Sequence, residues 1–119
     1  MEEIIKGFVS ETLKGLNEII DICNSNPKSL EKRDAEKVFF VMHSLTGSSA
    51  MFGFGTIAQY SLYAERVYDK VRKGELIITP QVIEYTINIS QAIKEIIQKE
   101  DNGILKLEII DFFKDQLDK

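Results

Sequence analysis

Four long stretches of this chain carry apolar residues three and four positions apart, and that spacing most constrains how the chain can fold. It places apolar side chains along one face of an α-helix, and such a face needs another helix to pack against. A fifth, shorter stretch near the C-terminus has the same character. The predicted helices cover residues 2–23, residues 29 or 34 to 51, residues 56–73, residues 79–100 and residues 104–117.

The breaks between these helices are short and rich in residues that favour turns. Asn24–Pro27 ends the first helix, Gly53–Gly55 forms a tight turn, and Asp101–Gly103 forms another. Short connections make consecutive helices antiparallel. The sequence therefore predicts an all-α fold, an antiparallel up-down four-helix bundle with an additional C-terminal helix, formed by residues 1–119 as a single domain.

One segment has the character of a strand. Leu76–Ile78 is a short apolar run, but no other segment offers to pair with it, so we expect a loop that packs onto the bundle. Thr79 and Pro80 follow it and mark a helix start, with threonine as the N-cap and proline in the first turn.

The composition excludes several kinds of partner. With 119 residues, of which 44% are hydrophobic and 29% charged, the chain has the make-up of an ordinary globular protein. A formal net charge of −4 argues against nucleic acid, and no apolar run approaches the roughly 18 residues that cross a bilayer. The N-terminus lacks the basic start and apolar core of a signal peptide. We therefore expect a cytoplasmic protein that binds neither nucleic acid nor a membrane.

His43 is the only histidine of the chain, and small residues follow it directly. Histidine keeps a neutral nitrogen nucleophile available near neutral pH. Thr46 and Gly47 come three and four positions later, so they share its face of the second helix. A glycine inside a helix costs roughly 1 kcal/mol against alanine. Gly47 therefore suggests that another molecule approaches the backbone closely beside His43.

The available side chains exclude other kinds of site. One histidine, the unpaired Cys23 and scattered carboxylates give neither zinc nor EF-hand spacing. The sequence has no G-x-S-x-G nucleophile elbow and no Walker-type glycine loop. We expect no bound metal, no cofactor and no ATP site. Two interpretations of His43 stay open, a structural histidine in a helical bundle and a surface nucleophile that carries a phosphoryl group.

A phosphoryl-carrying histidine needs an acceptor that holds the proton of its other ring nitrogen. His43 lies about ten residues before the turn at Gly53–Gly55, and Glu65 lies about ten residues after it. Positions equidistant from a hairpin turn lie side by side, so Glu65 is placed to accept that proton. Considered alone, Glu65 is more simply explained as a solvated helix carboxylate.

The segment Phe39–Phe54 resembles the signature of histidine-containing phosphotransfer (HPt) domains, above all the N-terminal phosphotransfer domain of CheA-type chemotaxis kinases. The resemblance covers nearly the whole chain and includes Phe8–Thr12 and Arg72–Leu76. In CheA-type domains a glutamate 22 positions after the histidine holds its Nδ1 proton, and Glu65 stands 22 positions after His43.

The resemblance implies a function. His43 would accept a phosphoryl group on Nε2 from the catalytic domain of a histidine kinase and pass it to an aspartate of a response-regulator receiver domain. Glu65 would orient His43, and Gly47, Ser48 and neighbouring apolar residues would form the face on which partners dock. The chain would be a phosphocarrier of a two-component or chemotaxis phosphorelay, either free-standing or as the N-terminal domain of a CheA-type kinase.

Two positions depart from the family pattern. Thr46 replaces a lysine that usually helps to neutralise the phosphoryl oxygens, and Leu62 replaces a second histidine. Lys37 and Arg66 are candidates for a substitute cation by their distance in the sequence. Thr46 keeps an alternative open, a phosphorylation-deficient bundle that docks receiver or kinase domains as an interaction module. A purely structural bundle is a further alternative, and it predicts a buried, unreactive His43.

Overall fold

The computed structural model describes residues 2–99 and 103–119, and in this part of the chain it contains five α-helices and no β-strand. The predicted all-α fold is confirmed. The helices are α1 (Glu2–Ser25), α2 (Lys32–Met51), α3 (Gly55–Arg72), α4 (Pro80–Ile97) and α5 (Leu107–Leu117).

Helices α1 to α4 close into a ring in which each helix packs on the next. α2 and α3 share the most extensive contact, α1 packs on both α2 and α4, and α3 packs on α4. α5 lies outside the ring, against α3 and α4. The architecture is the predicted bundle with an additional C-terminal helix.

Side-chain contacts show that α2 and α3 are antiparallel. His43 contacts Glu65, and Thr46 contacts Ser61, so the residue number on α3 falls as the number on α2 rises. Residues at equal distances from the short turn therefore lie side by side in this helical hairpin, as the sequence predicts. It places the middle of α2 beside the middle of α3.

α5 begins later than residue 104, where the sequence predicts its start. The Lys106 N–H donates a hydrogen bond to the Tyr60 hydroxyl at 2.6 Å, and Lys106 stays in an extended conformation with φ −84° and ψ 101°. The Lys70 ammonium donates to the carbonyl oxygen of Leu117 at 2.8 Å. Both contacts advance in the same direction along the two helices, so α5 runs parallel to α3.

α4 begins as predicted, because Thr79 Oγ1 accepts a hydrogen bond from the Val82 N–H at 3.2 Å. It ends at Ile97, three residues earlier than predicted. Lys99 has a φ of 62°, a left-handed conformation that does not continue a helix. Asp101–Asn102, which belong to a predicted turn, lie outside the described residues.

The loop before α4 and the start of α1 show where apolar residues stay in contact with solvent. Leu76 and Ile78 pack against the core, as predicted for a loop, but Ile77 between them is 85% exposed. Ile4 belongs to the predicted apolar stripe of α1, yet it is 59% exposed because it lies on the rim of an open groove between α1 and α2. The helical period predicts the buried face well, and it fails where no neighbouring element covers that face.

The buried thiol of Cys23 and the buried hydroxyl of Tyr68 should make the fold less stable at alkaline pH. Burial raises the pKa of the Cys23 thiol to about 12, and burial also raises the pKa of the Tyr68 hydroxyl. In the unfolded chain both groups ionise at their lower, ordinary pKa. Above about pH 9 the unfolded state therefore loses protons that the folded state keeps, and the free energy of unfolding falls as the pH rises. The loss is at most about 1.4 kcal/mol per pH unit for each group.

Urea unfolding between pH 8 and pH 11 measures this effect. In Cys23→Ala the free energy of unfolding should vary less with pH between about pH 8.5 and about pH 9.5, a range in which Tyr68 is still mostly protonated in both states. An unchanged dependence in Cys23→Ala would contradict the role assigned to the thiol.

Candidate functional site

His43 lies near the middle of α2, and its side chain is 62% exposed. Its Nδ1 lies 2.9 Å from Oε2 of Glu65 on α3, whose side chain is 18% exposed. The structure thus brings together the two residues that the hairpin symmetry and the resemblance single out. The exposure of His43 is the opposite of what a purely structural bundle predicts.

The contact with Glu65 decides which ring nitrogen of His43 is free to react. A carboxylate only accepts hydrogen bonds, so in the neutral imidazole Nδ1 carries the ring proton and donates a hydrogen bond to Glu65 Oε2. Nε2 then keeps its lone pair, on a side chain that is open to solvent. When Nε2 forms a new bond the ring gains positive charge, which the carboxylate stabilises. In the neutral ring the contact therefore fixes the tautomer and leaves the lone pair on Nε2.

An aromatic ring supports the His43 imidazole from the preceding helical turn. Phe39 stacks on the imidazole with 5.6 Å between the ring centroids and 14° between the planes. The Arg72 guanidinium lies 4.0 Å from the centroid of the same Phe39 ring, and its Nε donates to Asp69 at 2.8 Å. From the sequence Phe39 is predicted only as part of the second helix, although its spacing of four from His43 is the signal for this stack.

The helical turn that follows His43, around Gly47 and Ser48, is open to solvent and is called the open turn below. Gly47 is exposed in regular helical backbone, and a Cβ atom built there would meet no atom within 4 Å. Packing within this chain therefore does not require glycine at this position. Ser44 and Ala50 are exposed on the same stretch, and Met51 is 79% exposed. This surface leaves room for another molecule to approach the helix closely.

Thr46, at the usual lysine position, is bonded within the bundle. It is half-buried, and its Oγ1 lies 2.9 Å from the Met42 carbonyl oxygen and 3.0 Å from Ser61 Oγ on α3. Ser61 is fully buried, and its hydroxyl lies 2.9 Å from the carbonyl oxygen of Ile57. Ser61 does not stand out in the sequence, but the hairpin register that pairs His43 with its carboxylate also pairs Thr46 with Ser61.

The two candidate cations are engaged elsewhere. Lys37 Nζ lies 2.8 Å from Glu18 Oε2 on α1, and this ion pair lowers the pKa of Glu18. The Arg66 guanidinium lies 5.9 Å from the centroid of the Tyr63 ring. Neither contact brings a positive charge to His43.

An open groove of about 590 Å³ between α1 and α2 adjoins this surface. Phe40 lines it and is 54% exposed, and Ser44 and Ser48 line its edge on α2. The groove therefore offers an apolar surface beside His43 and its open turn. Its other apolar lining residues are Ile4, Phe8, Val41, Leu45 and Phe52.

The side chains of the described residues limit the chemistry of the site. Within residues 2–99 and 103–119, no cluster of histidine, cysteine, aspartate and glutamate side chains is arranged to hold a metal ion. In the same ranges, no helix combines the length and the apolar character needed to cross a bilayer.

A helical bundle that exposes a histidine on one helix and pairs it with a carboxylate from the next is an arrangement suited to carrying a group on a histidine nitrogen. The family model of the Hpt domain matches residues 3–103, which contain α2 to α4 and all of α1 except its first residue. The chain belongs to the Hpt domain family, and the resemblance seen in the sequence is confirmed. α5 lies beyond the matched residues.

Two bacterial signalling proteins are similar to this chain. The chemotaxis protein CheA of Borreliella burgdorferi is 26% identical over 121 residues, which cover 98% of this chain and 14% of that protein. The sensor histidine kinase CheAY of Helicobacter pylori is 26% identical over 101 residues, which cover 82% of this chain and 12% of that protein. The chain therefore spans only a small part of the length of either relative.

Proposed function

We propose that this chain, residues 1–119, acts as one histidine phosphotransfer domain in a chemotaxis-type phosphorelay. His43 accepts a phosphoryl group from the catalytic domain of a histidine kinase and passes it to an aspartate of a receiver domain. The strongest support is the 2.9 Å contact between Nδ1 of the exposed His43 and Glu65, in a chain of the Hpt family. The names of the two relatives, a chemotaxis protein and a sensor histidine kinase, support the same pathway.

Both transfers exchange one bond to phosphorus for another. In the first, His43 Nε2 attacks the γ-phosphorus of ATP held by the kinase, an N–P bond forms, and the bond to the ADP oxygen breaks. The ring becomes cationic because Nδ1 keeps its proton, and Glu65 balances that charge. In the second, a carboxylate oxygen of the receiver aspartate attacks the same phosphorus, and the electron pair of the N–P bond returns to Nε2. Magnesium and the acceptor aspartate belong to the receiver, and both transfers take place in the cytoplasm.

The docking face in this proposal joins the open turn at Gly47 and Ser48 to the groove between α1 and α2. The open turn gives a catalytic centre access to Nε2 of His43, and the groove supplies the apolar contact area. Such partners bind transiently over modest interfaces. The same face serves the kinase and the receiver in turn, since both must reach the same nitrogen.

One observation favours a second candidate function, a module that docks receiver or kinase domains without carrying phosphate. Thr46 brings no positive charge to the site, and the contacts of Lys37 and Arg66 are with Glu18 and Tyr63. A phosphoryl group on His43 would then lack the neutralising lysine of related domains. The docking face would be unaffected, so the two functions differ only in whether His43 is modified.

Phosphoryl transfer from radiolabelled ATP by an isolated CheA-type kinase core tests the proposal. We expect an acid-labile, base-stable label in the peptide that contains His43, and loss of that label when a receiver domain and Mg²⁺ are added. A small phosphoramidate donor is used in parallel, because it needs no docking. Absence of label from both donors, with receiver binding retained, would contradict phosphotransfer and establish the docking module.

Substitutions at Gly47 should separate stability from function. Gly47→Ala should raise the free energy of unfolding by about 0.5–1 kcal/mol, because alanine favours the helix and its Cβ meets no atom within 4 Å. Gly47→Leu should slow labelling by the kinase by about tenfold or more, which corresponds to about 1.4 kcal/mol of lost transition-state stabilisation. Chemical denaturation and initial labelling rates measure the two effects.

The small donor serves as the control for Gly47→Leu, because it reaches His43 without a protein surface. Its labelling rate should match that of the wild type. A Gly47→Leu variant that the kinase labels at the wild-type rate would contradict the role of Gly47 in partner access.

A further inference from the structure

Thr46 and Ser61 form a second contact between α2 and α3, one helical turn from the pair of His43 and Glu65. Thr46 follows His43 by three positions, and Ser61 precedes Glu65 by four, so the two contacts lie on the same faces of the two helices. The Thr46 and Ser61 hydroxyl oxygens are 3.0 Å apart. Both contacts therefore depend on the same relative position of α2 and α3.

The protons of the two hydroxyls are both used inside the bundle. Each hydroxyl has one proton, and each lies 2.9 Å from a carbonyl oxygen of its own helix, that of Met42 for Thr46 and that of Ile57 for Ser61. When Thr46 donates to Ser61, Ser61 donates to Ile57. When Thr46 donates to Met42 instead, Ser61 still donates to Ile57, and the two hydroxyls stay in contact without a hydrogen bond between them. The first arrangement joins the two helices by a hydrogen bond, and in both arrangements Thr46 has no proton left for a phosphoryl oxygen.

The two contacts differ in their exposure to water. Ser61 is fully buried and Thr46 is half-buried, whereas the His43 side chain is 62% exposed and that of Glu65 is 18% exposed. Water competes with an exposed hydrogen bond, so the pair of His43 and Glu65 does not by itself hold the helices in register. The contact between Thr46 and Ser61 is less exposed to water, so it is better suited to that task.

We infer that Thr46 is a positioning residue for the phosphoacceptor. Together with Ser61 it holds α2 and α3 in the register that keeps Nδ1 of His43 against Glu65, and it does not contact the phosphoryl group. This role rests on the proposed phosphotransfer function of His43. In related domains the lysine at this position stabilises the phosphohistidine after transfer. In this chain Thr46 instead orients His43 before transfer.

Four variants test this role. Thr46→Val removes one hydroxyl at nearly constant shape, Ser61→Ala removes the other, and Thr46→Ser keeps the donor. Ser49→Ala is the matched control, because Ser49 is also fully buried on α2 but donates to Leu45 of its own helix. The measurements are the labelling rate with the small phosphoramidate donor, the fraction of His43 with its proton on Nδ1 from ¹⁵N chemical shifts, and the lifetime of the phosphohistidine.

We expect Thr46→Val and Ser61→Ala each to lower the labelling rate by roughly 2- to 10-fold, the factor that corresponds to one hydrogen bond. The fraction of His43 protonated on Nδ1 should fall with the rate, and the lifetime of the phosphohistidine should not change. The double variant should be no slower than either single variant, because both remove the same bond. Thr46→Ser and Ser49→Ala should behave as the wild type.

Two results would overturn the positioning role. A shorter phosphohistidine lifetime in Thr46→Val, without the same change in Ser61→Ala, would show that Thr46 acts on the phosphoryl group directly. Unchanged rates and an unchanged tautomer in both variants would show that the register does not depend on this contact. Failure of the proposed function is distinguishable, because it removes the label from the wild type while the tautomer measurement on unmodified protein still tests the contact.

Discussion

Replacement of His43 by glutamine should abolish phosphoryl uptake completely, from the kinase and from a small phosphoramidate donor alike. The chain has no other histidine, and the amide nitrogen of glutamine has no lone pair available for attack on phosphorus. The fold should persist because the side chain is 62% exposed. The stability cost is limited to the stack on Phe39 and the hydrogen bond to Glu65.

Three measurements make the result on His43→Gln decisive. Mass spectrometry of the labelled wild type gives the position of the phosphoryl group, and circular dichroism shows that the variant is folded. Binding of the variant to a receiver domain shows that the docking face is intact. A His43→Gln protein that still takes up acid-labile label in the wild-type amount would contradict His43 as the acceptor.

The bundle and the pairing of His43 with Glu65 follow from regularities of the chain. The helical period identifies the helices, and the short turn at Gly53–Gly55 makes α2 and α3 antiparallel neighbours. Once that turn is placed, the distance of each residue from it fixes its height in the hairpin. The pairing could therefore be predicted without knowledge of any side-chain conformation.

Side-chain direction was beyond the reach of the sequence. The hydroxyl of Thr46 would serve a phosphoryl group if it faced solvent, and it serves Ser61 because it faces α3. The choice between those two directions depends on the rotamer, which is set by tertiary packing. The stack of Phe39 on His43 depends on rotamers in the same way.

Helix ends were also partly beyond prediction. The apolar pattern of α5 begins at residue 104, but the helix begins at Leu107. The N–H of the preceding residue, Lys106, donates a hydrogen bond to the hydroxyl of Tyr60. That contact joins residues 46 positions apart, so no local window of sequence contains it. Here tertiary structure overrides the local pattern, as it does for Ile4, which belongs to the apolar stripe of α1 and still faces a groove.

Removal of the Glu65 carboxylate should slow phosphoryl uptake by about 10- to 100-fold while leaving some activity. A hydrogen bond to a charged group contributes about 1.5–3 kcal/mol, and each 1.4 kcal/mol corresponds to a factor of ten in rate. In Glu65→Ala, Nδ1 of His43 loses its acceptor, so less of the imidazole has Nε2 free, and the cationic ring formed during transfer loses its counter-charge. The initial labelling rate with the small donor and the ¹⁵N shifts of His43 measure the two losses.

Glu65→Gln separates the tautomer from the charge. Its amide oxygen accepts the Nδ1 proton of His43, but it carries no negative charge, so the tautomer should be largely kept and the rate should lie between those of the wild type and Glu65→Ala. Glu84→Gln, at an exposed position of α4, makes the same change in net charge away from the site. It should change neither the labelling rate nor the tautomer of His43. A Glu65→Ala protein that is labelled at the wild-type rate would contradict any role for this carboxylate. An intermediate Glu65→Gln rate would mean that the carboxylate acts twice, first by freeing Nε2 and then by stabilising the ring that carries the phosphoryl group.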